Sequence, residues 1–120
     1  MILLHGTTRL RADRILRLGP DLHFLEPGGQ VWVDGFCMHL ETGPFLLGAP
    51  ADYARGKARA FADEGGPAII AVDIPEDIVQ RAVSDWFPLS QGVIQFDLGA
   101  GLEELIEAWP MLVKEIRNVP

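Results

Sequence analysis

Residues 2–8, Ile-Leu-Leu-His-Gly-Thr-Thr, and the segment Arg9-Leu10-Arg11-Ala12-Asp13-Arg14-Ile15-Leu16-Arg17-Leu18-Gly19-Pro20 behind them decide how this chain is read. Ile2, Leu3 and Leu4 make an apolar run of strand type. Ala12, Ile15, Leu16 and Leu18 fit one face of a short helix that stops at Gly19 and Pro20. Between the two stand an imidazole and two hydroxyls, where a strand gives way to a helix. Thr7 or Thr8 caps the helix. Its unpaired N–H groups suit an anion such as phosphate or pyrophosphate, and Gly6 allows close approach of a ligand to backbone. The same residues also read as a cap that serves stability alone beside an ordinary, partly buried histidine.

Outward from this motif, residues 19–44 are rich in Gly and Pro and carry the aromatics Phe24, Trp32 and Phe36. Residues 31–33 read as a short strand, confined by Pro27, Gly28 and Gly29 before it and by Asp34 and Gly35 after it. An irregular layer is expected here. Residues 44–47 form another apolar run, closed by Gly48 and Pro50. Across 52–63, Tyr53, Lys57, Ala58, Phe61 and Ala62 share a helical face, against which Gly56 costs about 1 kcal/mol relative to Ala. Gly65, Gly66 and Pro67 end that helix. Residues 68–73 are the clearest strand, and their unbroken apolarity predicts cover on both faces. Pro75 admits a short helix from Glu76 with Ile78, Val79 and Ala82 inward. Residues 89–96 read as a strand with Val93 and Gln95 on one face and Ile94 and Phe96 on the other. Residues 102–109 read as a helix stopped by Pro110, and 111–116 as a last strand or edge.

The chain has 120 residues, enough for one core and too few for two, so a single domain over 1–120 is expected. Its 48% hydrophobic content argues against disorder. A net charge of -7 with scattered basic residues gives no strong nucleic-acid signal. Arg9, Arg11 and Arg14 are the one small basic group near the motif, with Arg9 and Arg11 expected on the solvent face of the first helix. Cys37 is the only cysteine, which excludes an intrachain disulfide and fits a reducing compartment. It reads as a small buried hydrophobe, lacking an adjacent base. No apolar run nears the roughly 20 residues of a membrane span, so a cytoplasmic protein with no membrane contact is expected. His5, His23 and His39 with Glu26, Asp34 and Glu41 show no metal spacing, and His23 and His39 read as polar loop residues. The pairs Gly28-Gly29 and Gly65-Gly66 read as turns. Trp86, Phe87, Trp109 and Leu112 are expected in the core.

The order L-H-G-T-T, then A, I-L and G across residues 4–19, resembles the opening of the ADP-ribosyltransferase superfamily, including small bacterial members related to poly-ADP-ribose polymerases and to RNA 2'-phosphotransferases. Gly43-Pro44-Phe45-Leu46-Leu47, Ala58-Arg59-Ala60-Phe61-Ala62 and Ile69-Ile70-Ala71-Val72-Asp73-Ile74-Pro75 resemble later pieces of that pattern, so the likeness touches much of residues 2–75. It implies an α+β fold, a compact mixed or antiparallel sheet with short flanking helices. It also implies NAD as cofactor, with His5 on the ribose, Gly6 backbone groups and Thr7 beside the nicotinamide, and Phe45 or Tyr53 lining or stacking on its ring. Many relatives place a Glu at the start of a late strand, against the reacting ribose. Gln91 is the nearest match here and carries no charge, with Asp97 or Glu103 as other sources of a carboxylate. The resemblance thus implies an NAD-binding protein that transfers ADP-ribose to a macromolecular acceptor. The alternative is a non-catalytic interaction module, with a regulatory protein as partner. Phosphate transfer from an RNA terminus is a third reading.

Overall fold

The computed structural model describes residues 1–20, 35–43, 45, 49–85 and 88–120. The strand expected at 31–33, Gly28-Gly29, His23, Glu26, Asp34, Phe24, Trp32, Trp86, Phe87 and most of the run 44–47 lie outside these residues. The described chain runs β1 (Ile2–Thr8), α1 (Arg9–Leu18), β2 (Phe36–Leu40), α2 (Pro50–Ala60), β3 (Pro67–Asp73), α3 (Glu76–Ala82), β4 (Val93–Phe96), α4 (Leu102–Ala108) and β5 (Lys114–Asn118). The strands form one sheet in the order β4-β2-β1-β3-β5, and every neighbouring pair is antiparallel. The expected α+β class holds, in its antiparallel form.

β1 is longer than its apolar run. His5, Gly6, Thr7 and Thr8 are not a junction between strand and helix but the second half of the strand, paired residue for residue with β3 from Ile2↔Asp73 to Thr8↔Pro67. The β-branched threonines suit that pleated setting. The strand then turns into α1 with no intervening loop. Thr8 keeps extended backbone angles, and its Oγ1 accepts the Arg11 N–H at 3.3 Å, so Thr8 and not Thr7 is the cap.

The two faces of the sheet are covered differently. On the first, Leu3, Ile70 and Val72 of the central strands, with Phe36 and Met38 of β2 and Ile94 and Phe96 of β4, meet α1, α3, α4 and Trp109 in the main core. Trp109 is buried as expected, its indole N–H donating to the Leu16 carbonyl at 3.2 Å. On the second face α2 lies across β1 and β3, and Ala54 packs on Leu4, Ile69 and Ala71. β3 is therefore covered on both sides, as its composition predicted.

Four expectations are corrected. β2 was not foreseen, because Cys37 and His39 interrupt what is in fact a two-residue alternation of Phe36, Met38 and Leu40. The strand expected over 89–96 begins only at Val93. Leu89–Gln91 is a 3-10 turn closed by Gly92 in the left-handed region, at φ 75°, which reverses the chain. The last strand lies at Lys114–Asn118, because Trp109–Met111 continues α4 as a 3-10 turn that accommodates Pro110. Arg11 is buried rather than on a solvent face. Among the described residues, no helix is long and apolar enough to cross a membrane, and no three potential ligands gather for a metal.

Candidate functional site

The sheet has a seam beside the motif. β1 pairs with β3 over seven positions but with β2 at only Leu3↔Leu40 and Leu4↔His39. In an antiparallel pair the next hydrogen-bonded rung would join Gly6 to Cys37. Side chains take both carbonyls of that rung instead. His5 Nδ1–H donates to the Cys37 carbonyl at 2.7 Å, and Lys57 Nζ donates to the Gly6 carbonyl at 2.8 Å. Since a carbonyl only accepts, Nδ1 of His5 carries the proton in that bond. The ring stacks on Phe36 at 4.3 Å between centroids, and Phe36 meets Trp109 edge-on at 6.3 Å.

The expected site residues divide between the two faces. His5 stands on the first face with Phe36. Thr7, two positions along β1 and wholly buried, shares that side of the strand. Gly6 turns its bare side to α2. A Cβ there would collide with the Pro50 carbonyl oxygen and stand 3.0 Å from the Ala54 nitrogen, so the glycine admits helix backbone. Phe45 and Tyr53 also lie on the second face, both near a histidine other than His5. His39 is 5.3 Å from the Tyr53 ring and 6.2 Å from that of Phe45. Phe45 has a φ of 51°, the one positive value outside glycine among the described residues. The reading of His39 as a polar loop residue is overturned: it sits within β2 and is 3% exposed.

Further polar groups continue along this second face. Cys37 lies opposite Gln95 of β4, which is 3% exposed, and the Gln95 amide Nε2–H donates to Asp97 Oδ1 at 2.9 Å. Gly35 is held close against that pair, since a Cβ at Gly35 would strike Asp97 Oδ1 and Gln95 Nε2. Burial pushes the Cys37 thiol up from an ordinary 9.0 to about 11, an effect that nearby Lys57 opposes and Asp97 reinforces. A thiol so protonated is no nucleophile, as its sequence setting suggested.

The N-terminus of α1, read from sequence as an anion site, is filled by the protein itself. The N–H groups of Arg9 and Leu10 donate to the carbonyls of Gly66 and Glu64 at 2.9 and 3.0 Å, and that of Arg11 to Thr8 Oγ1. The Glu64 carboxylate closes the end, accepting from Thr8 Oγ1 at 2.7 Å and from Arg11 Nε at 2.8 Å. The Arg11 guanidinium also lies 4.1 Å over the Phe61 ring. A phosphate here would have to displace a turn and a carboxylate.

Gln91 lies in the 3-10 turn before β4, half-buried. The register sets Val93 level with His39 and hence with Leu4, so Gln91 falls toward the Ile2 end of β1 and Gln95 falls level with Gly6. Glu103 is tied to the Gly99 N–H at 2.9 and 3.0 Å, while the Asp97 carbonyl accepts from Ala100 and Leu102. Sequence reasoning passed over His39 and Gln95. The available signal was a polar side chain at alternate positions of an otherwise apolar strand. No family model, curated protein or solved structure matches this chain.

Proposed function

We propose that this chain is an ADP-ribosyltransferase-like domain that binds NAD and transfers ADP-ribose to a macromolecular acceptor. The observation that carries the reading is the gathering of Tyr53 and Phe45, two aromatics expected to hold a nicotinamide ring, near His39 on the second face of the sheet. Flat rings beside hydrogen-bonding groups are the surface that a planar carboxamide requires. An antiparallel sheet with short helices agrees with the architecture that the resemblance implies. In the reaction, the acceptor attacks the anomeric carbon as the bond to nicotinamide breaks. Nicotinamide leaves with the electron pair, and the acceptor's proton passes to a base or to water.

Titration of the purified protein with NAD, followed by calorimetric heat and by released nicotinamide, tests this reading. Saturable heat with release is the expected result. Absence of both, with unchanged Tyr53 and Phe45 resonances, overturns it. A second reading, a module that binds without turnover, is favoured by one observation: Gln91 is a neutral amide in a turn, and a neutral group stabilises a developing oxocarbenium ion less than a carboxylate does. Heat without release, even with cell extract as a source of acceptors, selects it.

A further inference from the structure

Half of one sheet face departs from ordinary core chemistry. Over β1 and β3 the second face is apolar, with Leu4, Ile69 and Ala71 under Ala54. Over β2 and β4 the inward positions are His39, Cys37, Val93 and Gln95. His39 and Gln95 are as deeply buried as the flanking aliphatics, and apolar residues there would avoid the cost of taking an imidazole and an amide out of water. The opposite side of the same two strands shows that apolar residues suit them: Phe36, Met38, Ile94 and Phe96 alternate there without a polar group.

We propose that His39 and Gln95 are the groups that select the ligand, forming with Tyr53 and Phe45 the binding face for a planar heteroaromatic carboxamide. The inference rests on the NAD-binding reading and adds selecting groups on β2 and β4 to the ring contacts expected of Phe45 and Tyr53. Three features support it. His39 is near both aromatics, at 5.3 Å from the Tyr53 ring and 6.2 Å from that of Phe45, so a ring held by either would have the imidazole close by. Gln95 is oriented by Asp97, which takes one amide hydrogen and leaves the other hydrogen and Oε1 as the complement of a primary carboxamide. Phe45 holds a backbone conformation that costs free energy, a feature that clusters at ligand sites. His5, by contrast, spends its Nδ1 proton on closing the seam and stacks on the core ring of Phe36.

The test combines binding with a readout free of substitution. Wild type, His39→Phe, Gln95→Leu and, as a control at an exposed position away from the site, Met111→Ala are titrated with NAD and with nicotinamide alone, and each is melted thermally. The expected result is a Kd for both probes weakened about ten-fold or more in His39→Phe and Gln95→Leu, as for loss of a buried hydrogen-bonding partner, with Met111→Ala unchanged. Gln95→Leu should melt no lower than wild type, since it places an aliphatic group where the sheet face is covered. In wild type, nicotinamide should shift the imidazole carbon-bound proton signals of His39 and leave those of His5 in place, which covers the case of a variant that fails to fold. Binding by wild type that both variants retain, or shifts confined to His5, overturns this inference and leaves the NAD reading standing. No binding of either probe by wild type overturns both.

Discussion

Gly6 shows how a residue that looks made for a ligand is used by the fold. Its missing side chain admits the first turn of α2, and its carbonyl takes the Lys57 ammonium. Gly6→Ala is expected to lower stability by about 1–3 kcal/mol, the usual cost of overpacking against backbone that cannot rotate away, and thermal melting measures it. Cys37 supplies a second residue-level prediction. Its thiol is held up at about 11 in the folded chain against 9.0 ordinarily, so between those values the unfolded chain binds fewer protons. Stability contributed by the buried thiol is whole below pH 9.0 and lost as pH rises toward 11. Urea midpoints should fall across that window in wild type and fall less in Cys37→Ala. An equal fall in both would mean that the thiol is not the group responsible. The histidines were the hardest residues to place from sequence. His39 read as loop decoration because one side chain carries no mark of the face it occupies until its strand has partners.

At the scale of the element, α1 shows which parts of a helix are readable in advance. Its inward residues Ala12 and Ile15, its Thr cap and its stop at Gly19 were legible, since each depends on neighbours within a turn or two, whereas Leu18, expected on the same face, is 65% exposed. The state of its N-terminus was not. The turn at residues 64–66 that takes up its N–H groups is more than fifty residues away in sequence, and no local pattern announces it. Glu64 and Arg11 are both largely buried, so neutralising Glu64 takes a buried ion-pair partner from Arg11. Glu64→Gln is expected to cost about 3 kcal/mol in urea unfolding. The double variant Glu64→Gln, Arg11→Met should recover part of that loss, and strict additivity would show that the pair is not coupled. The helix over 102–109 and the strand over 68–73 were legible for the same local reasons as α1. β4 and β5 were displaced by 3-10 turns, which no hydrophobic period encodes.

For the molecule as a whole, the seam divides the sheet into β1, β3 and β5 with α2 on one side and β2 with β4 on the other. Two paired positions against seven predict unequal cooperativity. Hydrogen exchange should find the amides of Ile69, Ile70 and Val72 opening only with global unfolding, and those of Met38 and Ile94 through a smaller opening. Equal protection in all of them would mean that the side-chain links at Cys37 and Gly6 hold as firmly as a backbone ladder. The division also explains why the fold class was legible and the site less so. Short apolar runs and turn residues establish an antiparallel α+β sheet, while the face to which each polar side chain turns depends on a register set between distant strands.

The central position of β1 bears on how the protein is made. During synthesis this strand emerges ahead of both its neighbours, β2 at Phe36–Leu40 and β3 at Pro67–Asp73. Translation at about 5–20 residues per second would leave it several seconds without its longer partner, a window in which an unpaired apolar strand invites intermolecular association or chaperone capture.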